Sequence, residues 1–418
     1  MSGRYSLTAG LVVASGLLAA TSARAEGMRN PPDTAAAIGK AGMHAVWVDD
    51  ASAVFLNPAN LVDVPGRQVL VSATVGRGET HFRRAADGLE TETRLPWFGL
   101  PSAAIAWPFP EQGLSAGLGV NVPFGRQSAW ERTGLFQYGT PYTPGTPVYS
   151  RLMVLDICPS LAWRVTDDLS VGAGLDVYYG RLHFREYLPP VFGDLADASA
   201  DGWAFGANAG VTWRFAAGQR LALTCRSPFD LQFDGAMHVS NANTQYGVSP
   251  DSTLSTTMPF PMSVTLGYGV QITDTVRAEA EVTWLQYSRF RTLALDAGAN
   301  NPLLQMAGQS SVPTEWNDCF AGGVGVSWDF APLWTARAGY QYLQTPQPDR
   351  TFMATFLDNS QSLFGLGLGY RRGRQAVDFA VAAGLFNDRK VNGNLDPDYV
   401  GKYKFDAQLA VLTYTLGF

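Results

Sequence analysis

Glu279 and Glu281 stand two positions apart in "VRAEAEVTW", with Arg277 just before them. On a strand that spacing puts both carboxylates on one face about 7 Å apart, the separation a glycosidase-type acid and base pair would use. Arg277 shares their face, and a cation beside two acids points instead to a structural charge network. A second pattern, "GLSAG" from Gly113 to Gly117, fits G-x-S-x-G. A nucleophile elbow needs a strand, a sharp turn and a helix, whereas Ser115 opens a strand-like run, so the match is a coincidence of composition. The four histidines, His44, His81, His183 and His238, have neither metal-ligand nor triad spacing. "NGNLDPD" near Asn392 could hold a surface calcium. No Walker-type phosphate loop is present. The residues therefore point to no catalytic centre, metal or cofactor.

The elements that would carry these residues are strands. In "LSVGAGLDVYYG", Leu169, Val171, Ala173, Leu175, Val177 and Tyr179 alternate with Ser170, Gly172, Gly174, Asp176 and Tyr178. One face is apolar and the other polar or small. The same split recurs in "VRAEAEVTW" and in "AVDFAVAAGLF", where Val377, Phe379, Val381, Ala383 and Leu385 oppose Asp378 and alanines. The pattern predicts about 14 strands between residues 68 and 418. Tight turns such as "VTDD", "AAGQ", "FAPL" and "RRGRQ" alternate with loops of about 15 to 25 residues. An even count, short turns at one end and long loops at the other predict an outer-membrane barrel.

Composition agrees. The chain is 46% hydrophobic and 16% charged, with 44 glycines and 12% aromatics. Residues 1–25 carry Arg4, an apolar run from Leu7 to Ala20 and "ARA" before Glu26, which predicts a signal peptide cleaved after Ala25. Beyond it no run of 18 apolar residues could form a membrane helix. Lipid offers no backbone hydrogen-bond partner, so a spanning sheet must close on itself. Trp107, Trp163, Trp213, Trp284 and Trp328 near strand ends fit interfacial girdles. Net charge −6 and pI near 5.3 argue against nucleic acid. Cys158, Cys225 and Cys319 are too dispersed for a disulfide framework or zinc site and read as small apolar fillers.

The stretch "AAAIGKAGMHAVWVDDASAVFLNPANL", with its Asn57-Pro58-Ala59, resembles the N-terminal hatch of the FadL/TodX family of outer-membrane transporters for hydrophobic compounds. Further likenesses run along nearly the whole mature chain: "GLSAGLGVNVPFG", "PSLAWRVTDDLSVGAGLDVYYG", "GWAFGANAGVTWRF", "LALTCRSPFDLQFDG", "PFPMSVTLGYG" and "WTARAGYQYLQTPQPDR". The resemblance implies an all-β fold, a 14-stranded antiparallel barrel (residues 67–418) with a hatch (residues 26–66) inside the lumen, in the outer membrane of a Gram-negative bacterium. Asp49 and Asp50 would be luminal acids, with Arg277 or another inward cation as partner. It implies a kink in the third strand, carried here by Pro123, Phe124 and Gly125; proline cannot complete a central ladder and glycine tolerates the bend.

The family's capture loops would correspond to residues 126–150, with Leu135, Phe136, Tyr138 and Tyr142, and residues 185–201, with Tyr187, Leu188, Val191, Phe192 and Leu195. A ligand would pass to a pocket beside the hatch and leave sideways through the kink by downhill diffusion. Fatty-acid members look to keep a cation near the outer end of the fifth strand. In "GRLHFREY", strand phase puts Leu182, Phe184 and Glu186 inward and Arg181, His183 and Arg185 outward, unless a bulge reverses it. The resulting expectation is a monomeric transporter of hydrophobic small molecules, long-chain fatty acids first, in contact with outer-membrane lipid and lipopolysaccharide. Neutral aromatics or alkanes are the alternative; a lipid-acting enzyme or a structural or adhesive barrel is the rival class.

Overall fold

The computed structural model of the chain describes residues 27–130, 147–188, 191–296 and 311–418. Fourteen long strands among them pair with their sequence neighbours in antiparallel order. They are β1 (Gln68–Arg84), β2 (Trp97–Phe109), β3 (Leu114–Ala129), β4 (Pro147–Arg164), β5 (Leu169–Tyr187), β6 (Leu195–Ala216), β7 (Gln219–Arg226 and Phe229–Val239), β8 (Asp251–Phe260 and Ser263–Thr273), β9 (Val276–Leu285), β10 (Cys319–Ala331), β11 (Trp334–Leu343), β12 (Gln361–Arg372), β13 (Gln375–Phe386) and β14 (Gly401–Gly417). β1 then pairs with β14 from Gln68↔Gly417 to Arg84↔Gly401, which closes the barrel and leaves no edge. No helix among the described residues is long and apolar enough to cross a membrane.

Alternation holds along the wall. On β1 the outward Val69, Val71 and Val75 are exposed while Leu70, Ser72 and Thr74 are buried. On β14, Leu412, Tyr414, Leu416 and Phe418 face outward as the sequence predicts. Trp163, Trp213 and Trp328 are about half exposed at the short-turn end, whereas Trp107 and Trp284 are partly covered. The inner wall carries small and polar side chains, which leaves room for something inside.

The strands extend further toward the long-loop end than the sequence suggests. The segment expected as a loop over residues 185–201 is mostly hairpin: β5 runs through Tyr187, β6 begins at Leu195, and Arg185↔Asp197, His183↔Ser199 and Arg181↔Asp201 pair in register. The expectation ended one strand at residue 184 and began the next at residue 201. Ladder hydrogen bonds do not need lipid, so the hairpin continues into the aqueous layer.

Residues 27–66 lie within the barrel as two single-turn helices, α1 (Ala35–Ile38) and α2 (Ala53–Leu56), and a 3-10 turn (Pro58–Asp63), joined by irregular backbone. Most residues from Gly27 to Leu61 are buried. Such short helices are marginal alone; side chains of the wall hold them.

Candidate functional site

The N-terminal segment is fastened at several heights. Lys40 is buried against Glu279 of β9 in an ion pair, and its Nζ also lies 2.6 Å from His44 Nδ1. The other Glu279 oxygen accepts the amides of Val46 and Trp47 at 3.2 and 3.3 Å, and Glu281 accepts Ala45 N–H at 2.7 Å. The same-face carboxylates thus receive the irregular backbone of the segment, in keeping with a structural network. Arg277 reaches Asp49 at 3.7 Å. Asp50 does something else: its Oδ1 accepts Ser52 N–H at 2.8 Å and Ser52 Oγ–H at 2.5 Å, closing the turn into α2.

Asn57 explains the Asn-Pro-Ala run. Its Oδ1 accepts Ala59 N–H at 3.1 Å while Nδ2 donates to Ala45 O and to Thr212 Oγ1 on β6 at 2.8 and 3.0 Å. Pro58 occupies the first turn, where its missing N–H costs nothing. A methyl group added at Gly172 of β5 would stand 2.4 Å from the Pro58 carbonyl carbon, so only glycine lets this turn rest on the wall. Lower down, Asp63 binds Arg164, Arg214 and Arg220 at 2.8, 2.6 and 3.0 Å. Neither Lys40 nor Asp63 stands out in the sequence, because their partners lie on remote strands.

The wall is interrupted at β3. β2 and β3 pair only from Phe109↔Leu114 to Ala103↔Val120. Against β4 the register then steps from Asn121↔Asp156 to Phe124↔Val154, so Val122 and Pro123 stand opposite Leu155 alone, which is a β-bulge. Pro123 and Gly125 flank Phe124 at this bend. In place of β2, the start of the N-terminal segment bonds here: Asn30 N–H donates to Pro123 O, Gly125 N–H to Met28 O, and Asn30 Nδ2 to Val122 O, each at 2.8 Å. Arg29 and Phe124 are the directly opposed pair. Contact with the preceding chain resumes at Thr93↔Trp130 and Arg94 N–H to Ala129 O.

Inward of the bend lies an apolar cluster. Phe124 meets Phe260 and Phe229 at ring distances of 5.0 and 5.8 Å, and Phe229 stacks on Tyr178 at 3.8 Å. Met28, Tyr287, Trp316 and Phe356 extend it. Leu188 is buried in this cluster, and Phe184 and Phe192 pack against it, while Val191 is exposed. Tyr187 and Leu195 are partly covered. Of the expected second loop, Leu188 and Phe192 therefore turn toward the interior, while Val191 stays at the surface. Leu135, Phe136, Tyr138 and Tyr142 lie outside the described residues. Beside the cluster, a cavity of about 110 Å³ separates the N-terminal segment from the wall, lined by Arg29, Phe55, Arg226, Leu343 and Leu409 among others.

Arg185 faces outward and pairs with Asp197 at 2.8 Å, whereas Glu186 is partly covered. No local spacing in the sequence ties the long loop after β11 to the site. Its Asp358 pairs with the buried Arg126 at 3.2 Å, and Ala354 O accepts Trp130 Nε1–H at 3.1 Å. Phe352, Phe356 and Leu357 of this loop are buried, so it covers the outer end of β3. Deep in the wall, Asp156, Cys158 and Asp176 come close enough to suggest a metal group. Arg226 already lies 2.7 Å from both carboxylates, making this an ion-pair network.

Residues 16–418 match the family described as "Outer membrane protein transport protein (OMPP1/FadL/TodX)". The long-chain fatty acid transport protein of Salmonella typhi is 21% identical, with 86% of each chain covered. A crystal structure of a FadL homologue of Pseudomonas aeruginosa superimposes with TM-score 0.81 at 18% identity, covering 94% of this chain and 100% of that one. The toluene transporter TodX of Pseudomonas putida gives TM-score 0.73 at 18% identity, covering 94% and 99%.

Proposed function

Because the chain belongs to the FadL/TodX family of outer-membrane transport proteins, we propose that it carries hydrophobic compounds, long-chain fatty acids first, by downhill diffusion from the long loops to a sideways exit at β3. The residues 26–66 then act as a hatch within the barrel of residues 67–418. The observation that carries this reading is the break in pairing after Val120, where Met28 to Asn30 take the place of β2. A proline-containing bulge in a membrane wall exposes backbone groups that lipid cannot satisfy. A movable segment that satisfies them is a gate.

On this reading the ligand crosses the Phe124, Phe229 and Phe260 cluster, where each buried methylene is worth about 0.8 kcal/mol. The cavity beside the hatch offers leucines to a tail and the Arg29 guanidinium to a carboxylate, Arg226 being engaged by Asp156 and Asp176. Residues 126–150 and 185–201 serve as the entry. No step requires bond making, so the function is transport without catalysis, by a single chain.

A second reading, neutral aromatics or alkanes, is favoured by the outward placement of Arg185 and its pairing with Asp197. The discriminating experiment is uptake by transporter-deleted cells bearing this protein, comparing a long-chain fatty acid with a neutral aromatic of similar hydrophobicity. Preference for the acid supports the first reading and preference for the hydrocarbon the second. Uptake of neither, by cells with folded protein in the outer membrane, overturns both.

A further inference from the structure

Outward residues of β5 are apolar from Leu169 to Tyr179, then turn cationic at Arg181, His183 and Arg185. Ten residue steps along a strand tilted by about 40° rise roughly 25 Å, the height of an apolar belt. The neighbours change at the same level: β4 after Met153, with Arg151, and β6 after Trp203, with Asp201. Tyr179 and Trp203, rings 4.8 Å apart, mark the boundary as interfacial aromatics do. At this end β3 stops at Ala129 and β4 starts at Pro147, a long connection of the kind that marks the outer side, hence the outer leaflet.

We propose that this sector binds the phosphorylated headgroup of an outer-leaflet glycolipid, lipopolysaccharide, with Arg151 and Arg181 as the phosphate-binding residues. The two flank a depression of about 210 Å³ that also includes Met153, Ser199 and Asp201. Register places Arg151 beside His183, and Arg181 between Met153 and Asp201. The neighbouring charges are already matched: Asp197 takes His183 at 2.9 Å and Arg185 at 2.8 Å. Arg151 and Arg181 make no ion pair among the described residues, so two guanidinium groups face one carboxylate, Asp201. Guanidinium groups bind phosphate oxygens in pairs, and basic depressions at a membrane boundary hold lipid headgroups.

What sets this sector apart is that its two guanidinium groups share one depression. On β1 and β14 at the same end, His81, Arg83 and Lys402 are matched by Glu92, Glu90 and Asp388 at 3.0, 3.7 and 2.5 Å, and Lys390 and Lys404 lie near that same Asp388. The depression is continuous below with Met153, Leu155 and Tyr179, on which acyl chains would lie. The occupant is thus a phosphate carried on lipid at the top of the belt.

The test is native mass spectrometry of the intact barrel in detergent, titrated with bisphosphorylated lipid A, with the same lipid stripped of phosphate, and with inorganic phosphate as competitor. Bisphosphorylated lipid should be retained, and the Arg151→Gln/Arg181→Gln variant should bind it at least about tenfold more weakly. An Arg83→Gln/Lys402→Gln variant should match the parent. Asp201→Asn, which removes the opposing carboxylate, should tighten binding several-fold and guards against a loss caused by misfolding. Equal retention by the arginine variant, or of the phosphate-free lipid, overturns the proposal. So does displacement of the lipid by millimolar phosphate, which would mark a small-anion site.

Discussion

Lys40 and Glu279, 239 positions apart in the chain, form a buried ion pair that joins the N-terminal segment to β9. The pair sits where Val46 and Trp47 donate backbone hydrogen bonds to the same carboxylate. Losing one partner of such a pair leaves a charge without compensation in a low-dielectric site, at a cost of about 3–5 kcal/mol.

Lys40→Met should therefore loosen the segment without unfolding the barrel. Amide hydrogen exchange over residues 35–47 should accelerate by two orders of magnitude or more, while the heat-dependent gel shift of the barrel stays. Adding Glu279→Gln, which removes the uncompensated charge, should restore part of the protection. Unchanged exchange in the single variant would show that the pair does not hold the segment.

Gly339 of β11 faces Lys40 so closely that a methyl group there would lie 2.2 Å from the Lys40 carbonyl. Gly339→Val should push the segment off the wall and raise passive permeability to small hydrophobic dyes. Gly99 lies on the outward phase of β2, where the nearest atom to an added methyl is 3.7 Å away. Gly99→Val should leave permeability at the parent level, and equal effects of the two substitutions would refute the steric account.

The Arg29 and Phe124 pair is flanked by the Asn30 to Pro123 and Gly125 to Met28 hydrogen bonds. Directly opposed antiparallel residues have Cβ atoms about 4.5–5.5 Å apart, within reach of a modest adjustment to a disulfide. In a background with Cys158, Cys225 and Cys319 replaced by serine, Arg29→Cys/Phe124→Cys should lose most uptake when oxidised and regain it with reductant. Full uptake in the crosslinked form would remove the N-terminal segment as a gate.

Burial pushes the Asp358 carboxyl up to about 6, against the pull of Arg126. A carboxyl raised in the folded state favours its protonated form there. Its contribution to loop stability is fully present below the unfolded value near 4 and is lost as pH rises to about 6. The loop over residues 344–360 should thus open more readily at pH 7 than at pH 4.5, by up to about 2 kcal/mol in exchange-derived opening free energy. Asp358→Asn cannot titrate and should flatten this difference. A pH dependence that survives the substitution would assign it to another group.

Much of the fold is written along single strands. Alternation such as Leu175, Asp176, Val177, Tyr178 shows a wall with lipid on one face and a polar lumen on the other, because side chains reverse direction at every residue. The "VPFG" run marks the bend for an equally local reason, a proline that cannot donate and a glycine that permits the turn. The outer loops were less legible. Apolar residues such as Leu188 and Phe192 look like a surface patch in one dimension and turn out to line the interior.

The sequence by itself determined the strand number, the lipid-facing side of each strand and the place of the bulge, since these follow from neighbours along the chain. Only the tertiary structure decided which groups meet across the lumen: Lys40 with Glu279, Asp63 with three arginines, and Arg126 with Asp358. Closure of the barrel through β1 and β14 sets those encounters. A charge buried by closure must find its partner on whichever strand faces it, and no local spacing encodes that distance.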